Sequence, residues 1–190
     1  QPCSRAACAI RSSDSTNLRN YVASDTLKDG TVVTVRAIRA GDREALLAAF
    51  VALDRESIYT RFFTHKKELT ETELRQLAEV DSDHVVALVV TMRINDAEKL
   101  LGGGRYCSEQ PLGAARRAEL AFMTADAQHG RGIASLVLRH LVLIARDQGL
   151  LQLEADVLAH NQPMLAVFRR SGLAMTLQRE SSVIHVRFAI

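Results

Sequence analysis

Cysteine is scarce in this chain. Its 190 residues contain three, Cys3, Cys8 and Cys107, in no spacing that binds a metal and too few for a disulfide framework. The odd count without such a framework points to a reducing, cytoplasmic setting. No apolar run reaches the length that a bilayer requires, so no membrane partner is expected. A dominant charge is missing as well: the net charge is +2, too small to argue for nucleic acid or an anionic membrane surface. The opening QPCSRAACAIRSS has no apolar segment of the secretory kind, and no signal peptide is expected from it. Internal repeats and low-complexity tracts are absent. No Gly-Lys-Ser/Thr follows a glycine turn, which speaks against a P-loop. The histidines at 65, 84, 129, 140, 160 and 185 show no ligand spacing, and no metal is expected. Aromatic residues are few, six phenylalanines and three tyrosines, so a place where they cluster carries information.

What is present suits one soluble globular domain: 47% hydrophobic and 24% charged residues, on a chain long enough to bury a proper core. The stretch that organises it runs from Glu119 to Gln148. Glu119–Thr124 reads as a short core strand. Gly130 and Gly132 then bracket Arg131, directly before a helical pattern in which Ile133, Val137, Leu141 and Ile144 form a stripe widened by Leu136, Leu138 and Leu143. A glycine turn that opens a helix exposes backbone N–H groups at the positive end of the helix dipole. That is either a plain tight turn or a phosphate site.

Along the rest of the chain, residues 1–28 read as a polar, irregular N-terminal arm, ending in an Asp29-Gly30 turn, and 29–190 as the domain. Thr31–Ile38 is an expected strand. A helix follows Gly41-Asp42, with Leu46, Leu47, Phe50 and Val51 as its apolar face. Thr70 and Glu73 form a capping box opening a second helix. Val85–Met92 and Lys99–Cys107 are expected strands, the latter interrupted by Gly102-Gly103-Gly104, which suggests a bulge or a close backbone approach. Gly149 caps the long helix. Leu151–Leu158 is a strand, Asn161–Arg170 a helix with Pro163 in its first turn, and Ala174–Arg179 and Val183–Ala189 a closing antiparallel pair. This order predicts a mixed sheet with helices on both faces.

Two motifs, in order, add a family. His129-Gly130-Arg131-Gly132-Ile133-Ala134 resembles the Gln/Arg-x-x-Gly-x-Gly/Ala motif of the GNAT N-acetyltransferases, with His129 in place of the usual Gln or Arg. Asn161-Gln162-Pro163-Met164 with Phe168–Leu173 resembles that family's next motif. The Tyr59, Phe62, Phe63 segment resembles that of bacterial protein lysine acetyltransferases, a branch that modifies acyl-CoA synthetases; without the resemblance it reads equally as a docking patch or as an acceptor wall. The resemblance implies an α/β (α+β) GNAT fold, with a mostly antiparallel central sheet and a splayed central strand. It implies acetyl-CoA as co-substrate, held by Phe122, Met123, Thr124, His129–Ala134, Asn161, Met164 and Phe168. The implied acceptor is an amine, a lysine of an acyl-CoA synthetase among the candidates, with Tyr59, Phe62 and Phe63 as its binding wall. Monomer and homodimer both stay open.

Amine acetylation needs a polarised thioester and a base, since an ammonium cannot attack. Glu119 is the candidate base. A carboxylate entering a core strand is costly unless paired or lining a cavity, and partial burial would raise its pKa toward the range a base needs. Its alternative is a strand-end salt bridge with Arg116 or Arg117. Glu154 and Asp156, which share one face of the next strand, are the other carboxylates to consider. Asn161 suits both a helix cap and a cofactor contact. Phe168 stands where many relatives carry a tyrosine acid, and a phenyl ring has no proton to give. Two other functions remain open: acetylation of a small-molecule amine, and a non-catalytic acyl-CoA-sensing module, which would need no base.

Overall fold

The computed structural model describes residues 18–52, 68–124 and 128–190. In chain order they form β1 (Val22–Thr26), β2 (Val32–Ala37), a single 3-10 turn (Ala40–Asp42), α1 (Arg43–Val51), α2 (Glu71–Ala78), β3 (Val85–Ile94), β4 (Ala97–Cys107), β5 (Arg117–Thr124), α3 (Ile133–Asp147), β6 (Gln152–Leu158), α4 (Gln162–Arg170), β7 (Ala174–Glu180) and β8 (Val183–Ala189). The strands make one sheet in the order β1-β2-β3-β4-β5-β6-β8-β7. Every neighbouring pair is antiparallel except β5–β6, which is parallel. Among the described residues no helix is long and apolar enough to cross a membrane.

The two faces of the sheet carry separate cores. Val86, Leu88 and Val90 of β3 and Tyr106 of β4 pack with the α3 residues Val137, Leu141 and Ile144 and with Leu165 and Phe168 of α4. The opposite face is covered by Leu46 and Phe50 of α1 and Leu74 and Ala78 of α2, with Leu100 and Met123 against them. Neighbouring residues of one strand, Phe122 and Met123, thus serve opposite cores, as the two-residue period of a strand requires. The capping box is formed: Thr70 Oγ1 accepts from the Glu73 N–H at 3.3 Å and Glu73 Oε2 from the Thr70 N–H at 2.9 Å.

Several expectations are corrected. The stretch read as irregular contains β1, paired with β2 from Val22↔Arg36 to Thr26↔Val32. VASDT is an edge strand held by its backbone, with alternate side chains exposed, so it lacks an apolar signature. Leu143 is 47% exposed and lies outside the buried stripe of α3, while Leu47 and Val51 of α1 also face solvent, leaving Leu46 and Phe50 as the buried pair. A short helix needs only a narrow apolar stripe to cover its patch of sheet.

The triple glycine has the reason suspected of it. The β3–β4 register shifts at Val90/Thr91, beside Leu100 and Gly102. A Cβ on Gly103 would stand 2.5 Å from the Leu88 carbonyl oxygen, and one on Gly104 would stand 2.8 Å from the Phe122 ring and 2.9 Å from Val137. Only a bare backbone lets α3 lie this close to β4.

Candidate active site

The parallel β5–β6 pair is short. Its register covers Arg117↔Gln152, Ala118↔Leu153 and Glu119↔Glu154 and then stops, while β5 stays paired with β4 as far as Gly102↔Thr124. From Leu120 onward β5 therefore has an edge without a strand neighbour among the described residues. Strand backbone leaves alternate N–H and C=O groups pointing across such an edge. The gap widens into a cleft of about 720 Å³. One wall is β5 from Glu119 to Thr124; the other is β6 at Ala155–Val157 with the first turns of α4, and the N-terminus of α3 closes the end.

The loop before α3 folds as its glycines demand. Gly130 has φ +78° and Gly132, which caps the helix, φ +91°, a left-handed conformation that other residues adopt only with strain. The first helical bond runs from the Leu136 N–H to the Gly132 carbonyl at 2.9 Å. The N–H groups of Ile133, Ala134 and Ser135 precede it, and all three residues line the cleft. Such a helix start offers donors and partial positive charge to an anion.

The residues expected at the site fall into three groups. Glu119, Phe122, Met123, Thr124, His129, Gly130, Gly132, Ile133, Ala134, Asn161, Met164 and Phe168 all line the cleft. Arg131 is not among its lining residues. Its guanidinium turns to the β1–β2 turn, donating from Nε to Asp29 Oδ2 at 2.6 Å and from Nη2 to Thr31 Oγ1 at 2.7 Å, and from Nη1 to Gln128. Tyr59, Phe62 and Phe63 lie outside the described residues.

Glu119 is exposed, not partly buried, so the burial argument for it fails. It makes no salt bridge with Arg116 or Arg117; Arg116 donates to the Gly149 carbonyl instead. It sits where β5 and β6 part, with Glu154 as its register partner on β6 and Cys107 on β4. Glu154 is accounted for by Gln152 and, at 3.7 Å, by Arg187. Asp156, also at the cleft, binds His185 Nδ1 at 2.6 Å and holds that imidazole above its ordinary pKa. Among the carboxylates considered, Glu119 is the one without such a partner among the described residues.

On the far side, His129 reaches back to the Thr124 carbonyl at 3.2 Å, tying the helix loop to the end of β5. Asn161 caps α4, its Oδ1 accepting from the Met164 N–H at 3.2 Å. Phe168 is 1% exposed and sits edge-on to Phe122 and Phe188, with ring centroids 6.0 and 4.9 Å apart; it is a core residue with one side on the cleft. The described residues contain no group of three or more His, Cys, Asp or Glu side chains that could hold a metal. Sequence reading missed Lys28, which lines the cleft beside Gly132. No local pattern marks it, since the turn and the loop it meets are about a hundred residues apart; the Asp29–Arg131 contact spans 102.

The chain is similar to known proteins. An acetyltransferase of Pseudomonas aeruginosa is 29% identical over 142 residues, 74% of each chain. Acetyltransferase Pat of Mycolicibacterium smegmatis is 30% identical over 147 residues, 77% of this chain but 42% of its own length. The crystal structure of the GNAT domain of S. lividans PAT superposes with a TM-score of 0.79 at 30% identity, covering 89% of this chain and 97% of that one. A cAMP-binding acyltransferase from Mycobacterium smegmatis shares the fold, with a TM-score of 0.61 at 24% identity over 93% of this chain and 49% of its own. The acetyltransferase (GNAT) domain family matches residues 33–174, which span β2 through the start of β7 and include the parted strands, the glycine loop and α4. This chain therefore belongs to the GNAT acetyltransferase family.

Proposed function

We propose that this protein is an acetyl-CoA-dependent N-acetyltransferase acting on primary amines, with a lysine of a folded protein as its favoured acceptor. One observation carries the reading: β5 leaves β6 just after Glu119, so a single cleft has a carboxylate at one end and a helix N-terminus fitted for phosphate at the other. An extended pantetheine arm can pair along the free edge of β5, as an added strand would. The edge N–H groups between Phe122 and Thr124 then lie beside the thioester carbonyl and polarise it.

The acceptor enters from the Glu119 side. Glu119 takes the proton of the incoming ammonium, the free amine attacks the thioester carbon, the C–N bond forms and the C–S bond breaks. The nitrogen gives up its second proton to water as the amide forms, and the thiolate leaves with its electron pair and takes a proton from water. Phe168 cannot supply it, and a thiolate is a good enough leaving group not to need a dedicated acid.

The protein-lysine preference rests on the Tyr59, Phe62, Phe63 segment, where rings suit the apolar stem of a lysine and Arg61, Lys66 and Lys67 suit acidic surface around it. The shared likeness to Pat proteins supports the same choice. The test offers acetyl-CoA together with purified acyl-CoA synthetase and, separately, polyamines, aminoglycosides and free amino acids. A protein acceptor gives a much higher kcat/KM for the synthetase and loss of labelling when its target lysine is changed. Turnover of one small amine near ~10⁴ M⁻¹s⁻¹, with no protein labelled, assigns the small-molecule reaction instead.

A further inference from the structure

The β1–β2 turn is built against the glycine loop in a way that neither a sheet edge nor a hairpin requires. The turn itself is closed by hydrogen bonds. The Leu27 N–H donates to the Thr31 carbonyl at 2.9 Å, the Gly30 N–H to the Leu27 carbonyl at 3.0 Å, and the Thr31 N–H to Asp29 Oδ1 at 3.0 Å. Leu27 is buried in the main core, which fixes the turn on its inner side. Arg131 then clamps the turn through Asp29 and Thr31, and its hydrogen bond holds the Asp29 carboxyl well below the usual carboxylate range.

Lys28 stands at the centre of this clamp. Its stem lies across the face of Gly132: Cε, Cγ and Cδ stand 3.1, 3.2 and 3.3 Å from where a Cβ on that glycine would be. The residue lines the cleft beside the first turn of α3 and makes no ion pair among the described residues. Two facts then bear on each other. The arginine within the glycine loop is already spent on Asp29, Thr31 and Gln128, while a lysine from a distant turn occupies its place at the cleft.

We propose that Lys28 is a phosphate-binding residue of the cofactor site, presented to the pyrophosphate of CoA by a turn that Arg131 holds in place. This rests on the reading of the cleft as a CoA site. The division of labour follows from the chemistry. The backbone donors fix position at close range, and a lysine adds a point charge on a flexible stem that can follow the phosphate. The glycine at 132 has two reasons to be there: its positive φ, and the room it leaves for the lysine stem.

The experiment is calorimetric titration of the full chain and its Lys28→Met and Lys28→Arg variants with CoA, dephospho-CoA and pantetheine. Lys28 is exposed, so the variants are expected to fold, and thermal melting checks it. Lys28→Met should weaken CoA and dephospho-CoA alike, about tenfold, as loss of a charge-assisted contact implies. Pantetheine, which has no phosphate, should bind the variant as it binds the wild type, and Lys28→Arg should recover most of the loss. Unchanged CoA affinity in Lys28→Met overturns the role of Lys28 and leaves the cofactor assignment standing. A loss confined to CoA, with dephospho-CoA unaffected, places the charge at the 3′-phosphate and overturns it too. A wild-type chain that binds no CoA overturns the functional reading and this inference together.

Discussion

Glu119 decides whether the cleft is a catalyst or only a binding site. It is exposed at the point where β5 and β6 separate, while Glu154 and Asp156 are engaged by Arg187 and His185. Its claim as base therefore rests on placement and on being uncommitted, not on burial. Glu119→Gln keeps the shape and removes the basicity. The rate should fall by about 10²–10⁴ near neutral pH with CoA affinity preserved, and the acid limb of the kcat/KM profile should disappear. A variant with near-full rate and an unchanged profile would shift the role to Asp156 or to an amine that arrives already deprotonated. Arg131 makes the complementary point. Its position in the motif suggests a ligand contact, but its side chain serves as a strap between two distant turns.

Among the elements, β1 is the least supported by its own sequence and the most dependent on partners. It is tied to α3 and to the loop before it. Arg131 of that loop holds Asp29 in the turn after β1, while on α3 itself His140 Nδ1 lies 2.5 Å from Tyr21 Oη, His140 Nε2 lies 3.1 Å from Asp25 Oδ2, and Arg139 pairs with Asp25. A neutral imidazole satisfies both of its bonds, accepting from the tyrosine and donating to the carboxylate. His140 is buried, and burial pushes its pKa down against the opposing pull of Asp25. Burial would push Asp25 up, but hydrogen bonds from the Thr26 N–H, Arg139 and His140 outweigh it and leave that carboxyl below its ordinary value.

The sign follows. Below the ordinary histidine pKa of about 6.5, the unfolded chain takes up a proton at His140 that the folded chain resists, so stability falls as pH falls. Asp25 adds a loss of the same sign at lower pH, below its unfolded value. Thermal melting between about pH 7 and pH 5 should show Tm dropping on acidification in the wild type and dropping less in His140→Gln. Parallel curves for the two proteins would remove His140 from this account.

For the molecule as a whole, the cleft is an interruption in the sheet. β5 loses its β6 neighbour at Leu120, and the described chain places no strand there. A ligand that pairs along β5 and rests on the α3 N-terminus would bridge β5, α3 and α4, and so stabilise the folded form alone. CoA at about a hundred times its Kd should raise the unfolding free energy by about 2.7 kcal/mol, read as a higher Tm in calorimetry. Pantetheine, which cannot reach the helix end with a phosphate, should raise it less at equal concentration. Equal shifts from the two would mean that the glycine loop contributes nothing to binding.

Much of this was legible in the chain itself, for physical reasons that can be named. Helix starts and stops are local chemistry: the Thr70/Glu73 box, Pro163 at the opening of α4 and the left-handed Gly149 after α3 were each readable within a few residues. Buried strands such as β3 announce themselves by their apolar run, and the Gly130–Gly132 turn by its composition. The sequence thus determined the order of β2 to β8 and the location of the glycine turn that opens α3. Only the tertiary structure decided that VASDT is a strand, because an edge strand is held by backbone bonds to a partner and buries little of its own. Only it decided that Leu143 faces solvent while Leu136 and Leu138 do not, since a stripe is cut to the width of what covers it. The cleft, too, is tertiary. That β5 parts from β6 after Glu119, that Arg131 turns away and that Lys28 takes its place depend on pairings between residues up to about a hundred positions apart. No local propensity encodes such contacts, because their energy exists only once the sheet has formed.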